Sequence, residues 1–99
     1  MKNALRLLQD VKAYIPPREF YRSELPTMAP LRGSNWHDGG LCPFHEDHHP
    51  GSFHLNFETG GFRCFSCGAK GGDIIAFIQL RDMLSFHEAL QKIADEWGV

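Results

Sequence analysis

The spacing of hydrophobic positions predicts helices in the first quarter of the chain. Residues 3–14 place apolar side chains at helical spacing and predict a short helix that ends before the prolines at 16 and 17. Residues 18–25 predict one or two further helical turns. Residues 27–40 are rich in Pro, Gly, Ser and Asn, and they predict an irregular connection.

The spacing then changes to strict alternation. Residues 53–57 alternate between apolar and polar side chains, which predicts a half-buried strand. Residues 58–61 predict a turn, and residues 62–65 predict the returning arm of a hairpin. We also expect a third, short strand at Leu41 and its neighbours.

Helical spacing returns at the end of the chain. Asp73 is a suitable N-cap for the apolar segment 74–80. The segment Ser85-Phe-His-Glu88 has the form of a capping box, and an apolar stripe follows it as far as Trp97. The complete pattern predicts an α+β fold, in which α-helices flank a small antiparallel β-sheet.

Composition is that of an ordinary single domain. The 99 residues are 42% hydrophobic, and no apolar run approaches the roughly 20 residues that cross a membrane. The N-terminus lacks the features of a signal peptide. Three cysteines are an odd number for a disulfide framework, so we expect reduced thiols, a cytoplasmic location and no membrane partner.

Two pairs of residues have the spacing of metal ligands. Cys42 and His45 form a Cys-x-x-His pair, and Cys64 and Cys67 form a Cys-x-x-Cys pair. This arrangement predicts a tetrahedral Zn²⁺ site with no open position, which supports the fold rather than hydrolysis. The alternative for the second pair is a redox dithiol, but no thioredoxin-like pattern surrounds it.

The remaining histidines have plainer interpretations. His48 and His49 follow two acidic residues in what the pattern predicts to be an exposed loop. His54 alternates with apolar neighbours, so we expect it on the open face of the hairpin. His37 and His87 lie outside the cluster.

Five segments carry a family resemblance. They are Leu41-Cys-Pro-Phe-His45, Pro50-Gly-Ser-Phe53, Phe62-Arg-Cys-Phe-Ser-Cys-Gly68, Gly71-Gly-Asp73 and Leu84-Ser-Phe-His-Glu-Ala-Leu90. In this order they resemble the N-terminal zinc-binding domain of bacterial DnaG-type primases. The resemblance implies a zinc ribbon with a Cys-His-Cys-Cys ligand set, which coincides with the pairs identified by spacing.

The resemblance also suggests a division of the chain. We predict a primase-type zinc-binding domain at residues 39–99, preceded by an N-terminal helical and irregular segment at residues 1–38. His48 stands where the family often has a lysine, which removes a positive charge from the expected nucleic-acid face. The net charge of -2, about -3 once zinc and three thiolates are included, also counts against strong autonomous DNA binding.

The family's zinc domain is associated with recognition of single-stranded template. Aromatic and basic side chains would supply stacking and phosphate contacts. The candidates are Arg63, Phe65, Lys70, His54, Trp36 and Arg32. The alternative is that Phe65 packs inside the metal knuckle, that Trp36 covers the core and that Arg63 is a solvated edge charge.

No catalytic centre is evident for nucleotidyl transfer. The acidic residues are scattered, whereas that reaction needs clustered carboxylates to hold Mg²⁺. We therefore expect at most an accessory module of a primase, acting in DNA replication or mobile-element transfer beside a separate primase or helicase subunit. The alternative function is a zinc-stabilised protein–protein adaptor that docks its partner through the N-terminal helix or residues 18–40.

Overall fold

The computed structural model describes residues 3–25 and 36–99. Within them lie four helices and four strands. The helices are α1 (Ala4–Tyr14), α2 (Pro17–Glu24), α3 (Ile74–Asp82) and α4 (Phe86–Trp97), and the strands are β1 (Trp36–Asp38), β2 (Phe53–Asn56), β3 (Phe62–Cys64) and β4 (Lys70–Gly71). This confirms the α+β prediction. None of the helices in these two ranges is long and apolar enough to cross a membrane.

The two C-terminal helices begin at the predicted caps. The Asp73 carboxylate accepts a 2.8 Å hydrogen bond from the backbone N–H of Ala76. Ser85 and Glu88 each accept a hydrogen bond from the other's backbone N–H, which completes the capping box. These bonds satisfy N–H groups that have no partner within the helix, so they set where α3 and α4 start.

The four strands form an antiparallel sheet in the order β1-β2-β3-β4. Alternation along β2 and β3 buries Phe53, Leu55 and Phe62 on one face. The other face carries the register partners His54 and Arg63 and stays open to solvent. The sheet therefore has one face that packs against the core and one face that is exposed to solvent.

The position of the third strand was predicted wrongly. It is β1, in the segment expected to be irregular, and it pairs Asp38 with His54. Leu41 instead leads into the first of two ligand-bearing turns, which we call the first knuckle (residues 42–45) and the second knuckle (residues 64–67). In the first knuckle the backbone N–H of Cys42 donates to the Asp47 carboxylate at 2.9 Å and not to a neighbouring strand.

Phe77 of α3 lies at the centre of the core. Its ring contacts four other aromatic rings, with centroids 5.0 to 6.2 Å away: Tyr21, Phe44, Phe62 and Phe20. These neighbours come from α2, the first knuckle and β3. The division at residues 38 and 39 stays a prediction, but side chains from both sides of it share this core.

Candidate metal centre and nucleic-acid interface

The four predicted ligands come together at one end of the sheet. The ligand atoms of Cys42, His45, Cys64 and Cys67 all lie within 4.8 Å of one another. The sulfurs of Cys42 and Cys67 are 3.9 Å apart, close to the edge of about 3.8 Å that tetrahedral Zn–S bonds of about 2.3 Å require. All three cysteines are free thiols. The donor set and its spacing thus fit Zn²⁺.

Both knuckles direct backbone N–H groups at their first sulfur. The N–H of Phe44 donates to Cys42 Sγ, and the N–H of Cys67 donates to Cys64 Sγ, each at 3.4 Å. Gly68 closes the second knuckle with φ at 82°, a left-handed conformation that glycine adopts without strain. Its N–H donates to the Cys64 carbonyl at 2.9 Å.

The two buried thiols have different proton affinities. Burial raises the pKa of Cys42 to about 12. Burial acts in the same direction on Cys64, but hydrogen bonds from the backbone N–H groups of Cys67 and Ser66 hold its pKa below the ordinary value of 9.0. Burial thus opposes ionisation of Cys42, and a bound cation would stabilise its thiolate.

Asp47 is a part of the site that the spacing of the sequence does not indicate. Its Oδ2 accepts from the backbone N–H of Cys42 at 2.9 Å, and its Oδ1 accepts from that of His49 at 3.3 Å. These bonds, led by that from Cys42, lower the pKa of the Asp47 carboxyl. An aspartate in a tight loop often accepts hydrogen bonds from nearby backbone N–H groups. The sequence does not indicate that the Asp47 carboxylate reaches the N–H of Cys42, five residues earlier.

The other histidines lie outside the four-residue group. Exposed His48 has Nε2 3.5 Å from the Glu46 carboxylate. His54 Nε2 lies 3.1 Å from the carbonyl oxygen of Gly51. The ring of His37 stacks on Phe57, with centroids 4.4 Å apart.

A second candidate site lies on the open face of the sheet. A cavity of about 280 Å³ is lined by Trp36, His54, Arg63 and Phe65. The Arg63 guanidinium carbon lies 4.6 Å from the centre of the Phe65 ring, and the His54 ring lies 5.4 Å from it. Phe65 is 65% exposed and Trp36 is 54% exposed, so neither ring is held in the core.

The two remaining candidates for nucleic-acid contact, Lys70 and Arg32, are not among the residues that line this cavity. Lys70 on β4 is the register partner of Arg63 and is exposed, so it adds a positive charge to the same face. Asp38, opposite His54, adds a negative charge there. Arg32 lies outside the described residues.

Residues 28–99 match the model of the CHC2 zinc finger family. Over 59 residues the chain is 51% identical to the DNA primase of Mycolicibacterium smegmatis, covering 60% of this chain and 9% of that protein. Over 60 residues it is 47% identical to the DNA primase of Deinococcus radiodurans, covering 61% of this chain and 10% of that protein. The chain thus spans about a tenth of the length of these relatives.

The fold is also similar to that of a solved primase structure. The crystal structure of the Aquifex aeolicus primase, comprising its zinc-binding and RNA polymerase domains, matches 99% of this chain with a TM-score of 0.71 at 26% identity. The match covers 22% of that chain. Because the family model covers well over half of the sequence and its Cys-His-Cys-Cys group is assembled here, the chain belongs to the CHC2 zinc finger family of DnaG-type primases.

Proposed function

We propose that this chain is a primase zinc-binding module whose open sheet face contacts single-stranded DNA. In this proposal Cys42, His45, Cys64 and Cys67 hold a structural Zn²⁺. Bound zinc would cross-link the two knuckles. With four protein ligands it would have no open coordination position for a substrate. The observation that carries the proposal is the cavity on the open sheet face, which is lined by Trp36, His54, Arg63 and Phe65.

The chemistry of this cavity suits unpaired bases. Trp36 and Phe65 offer exposed aromatic faces on which a base can stack, and Arg63 brings a cation beside one of those faces. Bases in a duplex are already stacked on both sides, so these rings would favour single strands. Lys70 would add a phosphate contact on the same face.

In this proposal a separate primase subunit would carry out nucleotidyl transfer. The chain corresponds to about a tenth of its primase relatives, and its own part in the reaction would be to hold the template. Residues 1–38 and 39–99 would act together here, because Trp36 comes from the first segment and Phe65 from the second. DNA replication or the transfer of a mobile element is the process we propose for this module.

The test is fluorescence anisotropy with labelled single-stranded and duplex oligonucleotides at low salt. We expect weak, salt-sensitive binding to the single strand by zinc-loaded protein. Phe65→Ala should weaken it about tenfold, because stacking of one base contributes about 1–3 kcal/mol. Tyr14→Ala is the matched control, since Tyr14 is an equally exposed aromatic residue on α1 at 70% exposure.

Two results would count against this function. One is absence of binding by the zinc-loaded wild type up to high micromolar concentrations, and the other is equal loss in Phe65→Ala and Tyr14→Ala. The protein–protein adaptor would then be the favoured function. Leu5 and Tyr14 of α1 are 65% and 70% exposed and could contact a protein partner. It predicts that Leu5→Glu releases a protein partner while leaving the fold intact.

A further inference from the structure

The imidazole of His45 has two differently placed nitrogen atoms. Its Nδ1 is buried and has no hydrogen-bond partner among the residues that the structure describes. Its Nε2 lies 3.8 Å from Oδ1 of Asp47. A buried ring nitrogen without a partner is costly unless it binds something, and here it belongs to a residue of the four-ligand group.

Asp47 is held firmly enough to orient that ring. Its side chain is only 10% exposed, and both carboxylate oxygens accept backbone N–H groups, from Cys42 and His49. One of those donors is itself in the ligand group. The same carboxylate therefore fixes the backbone at the first ligand and faces the ring of the second.

We propose that Asp47 is a positioning residue that keeps His45 as the Nε2–H tautomer and leaves Nδ1 to face the metal. A small rotation of the carboxylate would shorten the 3.8 Å separation to a hydrogen bond from Nε2–H. Carboxylates that accept the second N–H of a ligating histidine select its tautomer and raise its basicity. The inference rests on the proposed assignment of His45 as a zinc ligand.

Long-range ¹H–¹⁵N NMR of the zinc-loaded wild type tests the tautomer directly. We expect the spectrum to show a protonated Nε2 and a metal-bound Nδ1 for His45. Metal bound at Nε2 would overturn the inference and leave the zinc site standing. No zinc-linked change at His45 would instead remove the ligand assignment, and the inference with it. This NMR measurement does not depend on DNA binding, so its outcome is separate from that of the binding test.

A pair of isosteric substitutions tests the role of the carboxylate. Asp47→Asn removes its charge and leaves one acceptor oxygen for several donors, so we expect zinc affinity in chelator competition to fall 10- to 100-fold. The d–d bands of the Co²⁺-substituted protein should shift as well. Glu46→Gln is the control, since it removes a neighbouring charge whose contact is with His48 and should change affinity less than about twofold.

Equal affinities and unchanged Co²⁺ bands in wild type and Asp47→Asn would refute a positioning role. Asp47→Glu provides the rescue arm, because it restores a carboxylate within reach of the same donors. It should recover part of the lost affinity. If Asp47→Asn does not fold, the wild-type spectrum still decides the tautomer.

Discussion

Gly71 shows how closely single residues are fitted around the sheet. It lies on β4 opposite Phe62, and a Cβ at this position would be 2.5 Å from that ring and 2.9 Å from Ala76 Cβ. Real atoms do not approach so closely, so the buried Phe62 ring and α3 would have to shift. For the next residue, Gly72, no heavy atom of the described part of the chain, apart from its own chain neighbours, lies within 4 Å of an ideal Cβ.

This contrast gives a prediction with a matched control. Gly71→Ala should lower the free energy of unfolding of the zinc-loaded protein by about 1–3 kcal/mol through overpacking. Gly72→Ala should change it by less than about 0.5 kcal/mol. Chemical denaturation of both variants provides the measurement, and equal stabilities would show that β4 tolerates the added methyl group.

At the residue scale, the sequence predicts which side chains come together where the chemistry has a fixed spacing. The group Cys42, His45, Cys64 and Cys67 was identified from the spacing of ligand pairs, and the structure assembles the same four residues. Asp47 was missed because its role depends on a loop that brings its carboxylate to the N–H of a residue five positions earlier. No local sequence pattern specifies that the loop folds back to place the Asp47 carboxylate at this N–H group.

At the scale of elements, a network of charges joins three helices. Arg81 of α3 donates to Glu24 of α2 at 3.1 Å and to the neighbouring Asp82 at 3.0 Å. Lys92 of α4 contacts the same Asp82 carboxylate. All of these side chains are partly buried, so the network is screened less than a surface ion pair.

Asp82 is the most testable member of this network. Hydrogen bonds from Arg81, together with Lys92, lower its pKa from 3.8 to about 2. A lowered carboxyl pKa stabilises the fold above the unfolded value and loses that effect as the pH falls from about 4 to 2. Asp82→Asn should therefore cost about 1–2 kcal/mol at neutral pH, after allowance for partial exposure.

Denaturant unfolding at several pH values checks this prediction. The difference between wild type and Asp82→Asn should stay constant from about pH 6 to pH 8, because the pKa of Asp82 lies below this range in both states. Asp95→Asn is the control, since this exposed carboxylate on α4 accepts only from Gln91 among the bonds described for its side chain. A difference that varies across this range would point to another titrating group.

The elements themselves differed in how far the sequence predicted them. α3 and α4 were anticipated through Asp73 and the capping box at Ser85, because caps are local signals. β1 was misplaced, and β4, with two residues, was not foreseen. Such short strands are defined by pairing with residues distant in sequence, so the local sequence does not predict them.

At the scale of the whole molecule, the metal site and the hydrophobic core are one structure. Cys42 and Cys64 are buried within the core cluster. Phe44, between the first two ligands, contacts Phe53, Phe62 and Phe77 with centroids 5.3 to 5.9 Å apart. Closing the first knuckle therefore also positions an aromatic ring against β2, β3 and α3.

Loss of one zinc ligand should consequently affect the entire fold. Cys64→Ser removes a buried sulfur that accepts the Cys67 N–H, and a hydroxyl is a much poorer zinc ligand than a thiolate. Because zinc binding to small ribbons contributes about 10–16 kcal/mol of folding free energy, no net stability should remain. We expect Cys64→Ser to lose zinc and its cooperative thermal transition, as the wild type should in excess chelator.

Circular dichroism melting with and without zinc measures this loss, and Ser66→Ala serves as the control. Ser66 is exposed within the same knuckle and is not in the four-ligand group, so its replacement should leave the zinc-loaded melt nearly unchanged. A cooperative transition in zinc-free Cys64→Ser would mean that the core around Phe77, which includes Phe20 and Tyr21 of α2, folds without the knuckles. The helices would then be the stable unit, with the metal ordering only one end of the sheet.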